Sequence, residues 1–162
     1  MHGVEAGHRF FVDAMLGSLA RWLRTIGYDV RYEKDIGDSE LVRKALLEGR
    51  VVVTKDKLLA LRRALKGRCV LIKGAGLEQE LREFTALFKA PQGVFLSRCI
   101  RCNEALIKIP KEDASGLVPV YVYETQEGFS KCPSCRRVYW TGTHRREMLK
   151  ELKKLLGGDY EG

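Results

Sequence analysis

Between residues 9 and 88, short runs of β-branched and aromatic residues alternate with stretches whose apolar positions recur every three or four residues. Phe10-Phe11-Val12 reads as a buried strand. Residues 16–26 place Leu16, Leu19, Ala20, Leu23 and Ile26 on one helical stripe, and Gly27 suits the C-terminal cap. Residues 28–32 read as a second strand. Residues 39–48 read as a second helix, with Leu41, Ala45 and Leu46 on one face, Asp38 at the N-cap position and Gly49 as the stop. Val51-Val52-Val53-Thr54 is a third strand, followed by a helix over 58–65, a fourth strand over 69–72 and a helix over 77–88.

Strands and helices alternating at this spacing imply βαβ crossovers, hence a parallel sheet covered by helices. Ala90-Pro91-Gln92-Gly93 interrupts the pattern and divides the chain into a unit at residues 9–90 and a second at 94–157. In the second unit the runs at 106–109 and 120–123 read as short β segments. Residues 144–156 read as a basic amphipathic helix.

Those β segments lie between two cysteine pairs, Cys99-x-x-Cys102 and Cys132-x-x-Cys135. Two residues between paired cysteines let both sulfurs of a tight turn face one ion, and two such knuckles close a tetrahedral zinc site. Two disulfides, a redox CxxC or an iron–sulfur site use the same residues. The doubling of the pair and the absence of a secretion signal favour structural zinc. The fifth cysteine, Cys69, lies in an apolar run and is expected as a buried free thiol.

Composition narrows the class. At 162 residues, 45% hydrophobic and 31% charged, the chain suits one ordinary domain plus a small metal-stapled one. No apolar run approaches the roughly 20 residues that a bilayer requires. The first nine residues lack the apolar stretch of a signal peptide, so a cytoplasmic protein is expected. The formal charge of +8 is shared by both halves and suits a polyanionic partner spanning them.

Within this basic chain, three aspartates fall at one edge of the expected sheet. Asp13 follows the first strand, Asp38 (with Glu40 close behind) opens the helix after the second, and Asp56 lies just beyond the third. Ligands of parallel α/β sheets bind outside the carboxyl ends of the strands. Carboxylates about 4 Å apart repel by roughly 1 kcal/mol in water and about 4 kcal/mol at a protein-like dielectric. A cluster of three therefore takes up protons or holds a cation, and oxygen donors select Mg²⁺ or Mn²⁺. Such ions can neutralise a phosphodiester and generate a hydroxide nucleophile, while Arg21, Arg24, Lys55 and Lys57 hold flanking phosphates. Asp35 and Glu78 are possible further ligands. Trp22 reads as a packing residue, His144 as the start of the terminal helix and Glu124 as structural.

The segment from Phe11 through Val30, with Asp13-Ala14-Met15-Leu16-Gly17-Ser18-Leu19-Ala20-Arg21-Trp22-Leu23-Arg24 at its heart, resembles the opening of the Mut-seven C-terminal RNase domain, a PIN-like family. Gly37-Asp38-Ser39-Glu40-Leu41 and Val53-Thr54-Lys55-Asp56-Lys57-Leu58 are similar to its second and third acidic motifs. The cysteine pairs, Tyr121-Val122-Tyr123-Glu124-Thr125 and the stretch from Val138 to His144 are similar to its appended ribbon. The resemblance spans roughly residues 9–150. It implies a PIN-like α/β fold, a C-terminal zinc ribbon with a terminal helix, and metal-dependent cleavage of RNA, single-stranded by expectation, at Asp13, Asp38 and Asp56. A non-catalytic zinc-ribbon protein associated with RNA or ribosomes is the alternative. A phospho-receiver domain would need adjacent acids after the first strand, where Asp13 is followed by Ala14 and Met15.

Overall fold

The computed structural model describes residues 7–157 and Tyr160. Four strands, β1 (Arg9–Val12), β2 (Asp29–Tyr32), β3 (Val51–Thr54) and β4 (Cys69–Leu71), form a parallel sheet in the order β2-β1-β3-β4. Phe10 faces Val30 on one side and Val51 on the other, and Val52 faces Cys69. The helices are α1 (Gly17–Ile26), α2 (Asp38–Leu47), α3 (Lys57–Ala60) and α4 (Leu77–Leu87). Two expected helices are shorter: a 3-10 turn at Ala14–Leu16 precedes α1, and the run after Asp56 splits into α3 and a 3-10 turn at Arg63–Leu65.

Side chains alternate across a strand, so consecutive buried residues serve opposite faces. Phe10, Val12 and Val53 join Leu19, Leu23, Leu81 and Phe84 from α1 and α4. Phe11 and Val52 join Leu41, Ala45, Leu59 and Leu65 on the other face. Each such side chain contributes about 1.5–3 kcal/mol when fully buried. Phe10 anchors its side through edge contacts with Phe84 at 4.9 Å, Phe88 at 4.8 Å and Tyr28 at 5.9 Å. Gly27 ends α1 at φ 115°, and a Cβ there would lie 2.6 Å from the Val94 side chain, so both conformation and space call for glycine.

The C-terminal part has a three-stranded antiparallel sheet, β5 (Ile107–Ile109), β6 (Phe129–Lys131) and β7 (Val138–Trp140), over a small core of Ala114, Phe129 and Val138. The run at 120–123, expected as β, is instead the start of helix α5 (Val120–Thr125). Pro119 precedes it as the N-cap, in an extended conformation with φ −56° and ψ 145°. β-Propensity is the weaker influence there, because Val120 and Tyr121 are exposed with no strand beside them. The last helix, α6 (Thr143–Leu156), runs back against α4, and its Met148 and Leu152 share one core with Phe10 and Phe95.

The first cysteine knuckle is bonded to the open edge of the parallel sheet. Buried Arg24 donates from Nε to the Val30 carbonyl at 2.8 Å, and from a terminal nitrogen to the Ile100 and Arg101 carbonyls, both at 2.9 Å. Asn103, the chain's one asparagine, accepts from the Val30 amide at 2.8 Å and donates to Asp29 at 2.7 Å. Burial raises the Asp29 pKa, but hydrogen bonds from Arg50 and Asn103 and nearby guanidinium charges outweigh it, and the carboxyl sits below the usual aspartate range. The edge of β2 is thus covered rather than left open for pairing.

Arg24→Met leaves three carbonyls without their charged donor. Its urea unfolding midpoint is expected to fall by the equivalent of about 3 kcal/mol; a shift below about 0.5 kcal/mol would show that this joint carries little of the stability.

Candidate active site and cysteine cluster

The strand order reverses between β1 and β3, and this switch point is where parallel α/β sheets open a crevice. Asp13 leaves β1 there and Asp56 follows β3. Asp13 is 5% exposed. Its amide donates to the Val53 carbonyl at 2.9 Å, Oδ1 accepts from the Ala14 amide at 2.7 Å, and Oδ2 accepts from Thr54 Oγ1 at 2.6 Å. The same Thr54 oxygen accepts from the Asp56 amide at 2.9 Å. Asp56 caps α3, its Oδ1 accepting from Leu58 N at 2.7 Å and Leu59 N at 3.1 Å. One buried threonine hydroxyl therefore connects the two acidic segments. Its signal in the sequence was a lone hydroxyl ending an all-valine strand, two residues before Asp56.

Asp38 stands apart. It is the first residue of α2, whose N-cap is Gly37 without a side-chain bond, so the expected capping role is not taken. Its exposed carboxylate lies 3.6 Å from Arg62, which also donates to Ser39. Among the described residues, the only group of three or more His, Cys, Asp or Glu ligand atoms within 4.8 Å of one another is the cysteine cluster. The three aspartates thus share the sheet edge without closing around one point. Asp35 is exposed in the turn before α2, and Glu78 is paired with Arg82 at 2.9 Å.

A further acid lies near this edge. Buried Glu80, on the first turn of α4, receives Lys55 Nζ at 2.9 Å, and the same ammonium donates to the Gly74 carbonyl at 2.7 Å. Glu80 carried no sequence signal, lying in an ordinary helical Glu-Gln-Glu run. Of the four basic residues expected to hold phosphates, Lys55 is thus committed to Glu80 and Gly74. Arg24, expected to hold a phosphate, is buried with its guanidinium bonded to three carbonyls, although it also forms part of the wall of the cleft between α1 and the three-stranded sheet. Arg21 and Lys57 are exposed, and Trp22 packs on the main core as expected. Cys69 is free and half-buried rather than fully buried; burial and the nearby Asp13 charge push its thiol up.

The two knuckles repeat one backbone pattern. In each, the second cysteine's amide points at the first sulfur (3.4 Å in both), and the next amide donates to the first cysteine's carbonyl (2.8 and 3.0 Å). That next residue, Asn103 or Arg136, has φ of 69° or 62°. The two turns present four sulfurs to one point. A tetrahedron with zinc–sulfur bonds of about 2.3 Å has sulfur–sulfur edges of about 3.8 Å, and Cys99 and Cys135 are 3.7 Å apart. The set fits a closed, four-thiolate zinc site.

Protonation supports the same reading. Burial would raise the Cys99 thiol, but the Tyr139 hydroxyl at 3.1 Å and the Cys102 and Arg101 amides outweigh it and bring the pKa to about 7. Burial and the neighbouring sulfurs push Cys102 up to about 12. Cys99 forms its thiolate readily, whereas Cys102 ionises against a cation.

The Mut7-C RNAse domain family model matches residues 8–152. No curated protein and no solved structure gives a significant match.

Metal analysis of the purified protein is expected to return one zinc per chain, lost in Cys99→Ser. The loss removes on the order of 10 kcal/mol of local folding energy, so hydrogen exchange should accelerate across residues 97–142 while β1–β4 keep their protection. Unchanged zinc content in Cys99→Ser would contradict the site.

Proposed function

The chain belongs to the Mut7-C RNAse domain family, and from that premise we propose that it is a metal-dependent ribonuclease. It hydrolyses phosphodiester bonds of single-stranded RNA at the edge carrying Asp13 and Asp56, and the four cysteines hold a structural zinc. The observation that supports this most is the Asp13–Thr54–Asp56 connection at the switch point of a parallel sheet.

A single ion held by three aspartates is not the arrangement favoured here. Mg²⁺ is commonly bound through one or two carboxylates, with substrate phosphates and water filling the other positions. Asp13 and Asp56 supply that donor set, and Asp38 belongs to the same edge as an outer carboxylate beside Arg62. A bound Mg²⁺ or Mn²⁺ supplies a Lewis acid for the phosphoryl oxygen and a more acidic water. The chain supplies orientation. Thr54 and the Ala14 amide hold the Asp13 carboxylate in one position, and the α3 cap fixes Asp56. The cysteine cluster has no open position and stays outside the chemistry.

Cleavage of a labelled single-stranded RNA by the zinc-loaded protein is expected to need added Mn²⁺ or Mg²⁺ and to stop when both are omitted. Asp13→Asn should lose activity by about a hundredfold or more. Thr54→Val, which frees the carboxylate without removing it, should lose about 10–100-fold, with both variants folded by circular dichroism. Equal activity in the wild type and Asp13→Asn would overturn the assignment and leave RNA binding without cleavage.

A further inference from the structure

A groove of about 1440 Å³ runs between α1, α6 and the three-stranded sheet. Small-molecule pockets occupy about 300–1,000 Å³, so this one exceeds the size of a compact ligand. Its charge is one-sided. Arg21, Arg101, Lys108, Arg136, Arg137 and Arg145 line it, and the single acid is Glu127, which is already paired with Lys111 at 2.9 Å. Its lining also includes the apolar residues Leu96, Ile100 and Met148 and the aromatic residues Tyr139 and Trp140. Gly142 lets Trp140 pack closely, because a Cβ there would come within 3.0 Å of the indole. The N-terminus of α6 opens into the same groove at His144 and Arg145, and no side chain caps it. At its far end the groove reaches Gly17 and Tyr32. The Tyr32 hydroxyl donates to the Ala14 carbonyl at 2.9 Å, one residue from Asp13.

We infer that this groove is the binding track for a single strand of RNA, leading from the cysteine knuckles to the Asp13 segment. Guanidinium and ammonium groups along the rim match a phosphate backbone, and half-buried aromatic faces match unstacked bases. A duplex keeps its bases stacked and cannot present them to an aromatic lining. The choice of RNA as the polyanion rests on the ribonuclease reading; the groove, its charge and its aromatic lining do not.

Fluorescence anisotropy of a fluorescein-labelled 12-nucleotide uridine RNA tests this, using the full zinc-loaded chain with Asp13→Asn as background and no Mg²⁺ or Mn²⁺ added, so that cleavage plays no part. Arg101→Ala, Lys108→Ala and Arg137→Ala remove exposed side chains, and each is expected to weaken binding roughly tenfold and to flatten the salt dependence by about one unit. Trp140→Ala is expected to weaken it roughly tenfold while leaving that salt slope unchanged. The control pair Lys66→Ala and Lys153→Ala, which are exposed and outside the groove, should change binding less than twofold. Zinc content and circular dichroism check the fold of each variant. The groove assignment is overturned if the background protein does not bind the strand, if the control pair weakens binding as much as the groove variants, or if duplex RNA of the same length competes equally. Since cleavage is absent throughout, loss of the groove and loss of the ribonuclease activity register in separate experiments.

Discussion

The buried guanidinium of Arg24 holds the two halves of the molecule in register. It reaches from α1 to the edge strand β2 and to the backbone of the first cysteine knuckle, donating to three carbonyl oxygens. A cation in this position costs desolvation, which lowers its pKa, while the charges of Cys99, Cys102 and Asp29 favour it. A zinc ion bound by four thiolates carries a net negative charge, so the metal centre and Arg24 are electrostatically complementary. Asn103 adds the directional part of the joint: its left-handed backbone closes the knuckle while its side chain satisfies β2. This joint, together with the packing of α6 on α4, fixes the two halves between which the basic groove lies.

Charge is sorted along that frame. The Lys55–Glu80 pair and the Asp29–Arg50 pair consume acids and bases inside or beside the sheet. Beside these pairs stand the Asp13–Asp56 acids at the switch point and the arginines that line the groove. Part of the net charge of +8 is gathered along the groove. In the proposed reading, the ribbon side gathers the phosphates of a strand and the carboxylates receive the scissile bond. The C-terminal helix serves both parts, since Met148 and Leu152 stabilise the main core while Arg145 lines the groove.

Most elements were legible because the hydrophobic period changes cleanly between strand and helix over residues 9–88. Phe10 and Phe11 serve opposite faces of the sheet, as the alternation along a strand requires. The cysteine spacing announced its cluster, since ligand geometry tolerates few other arrangements. The helix at Val120–Thr125 was not legible, because alternating β-branched and aromatic residues favour a strand only when a partner strand is present. Side-chain commitments were hidden as well. Arg24 and Lys55 stand next to acidic motifs in sequence, but a long side chain can turn inward to a carbonyl or a carboxylate, and only the packed structure shows which way it went. Thr54 was overlooked for the opposite reason, a small residue whose hydroxyl matters only once β1 and β3 lie side by side.

The account depends on whether the Asp13–Asp56 edge receives a divalent ion together with RNA. Anomalous diffraction from crystals grown with Mn²⁺ and a non-hydrolysable RNA oligonucleotide addresses that directly. Manganese between the strand's phosphate and the carboxylates of Asp13 and Asp56 is the expected result. RNA seated in the groove with no manganese at those carboxylates would contradict the account.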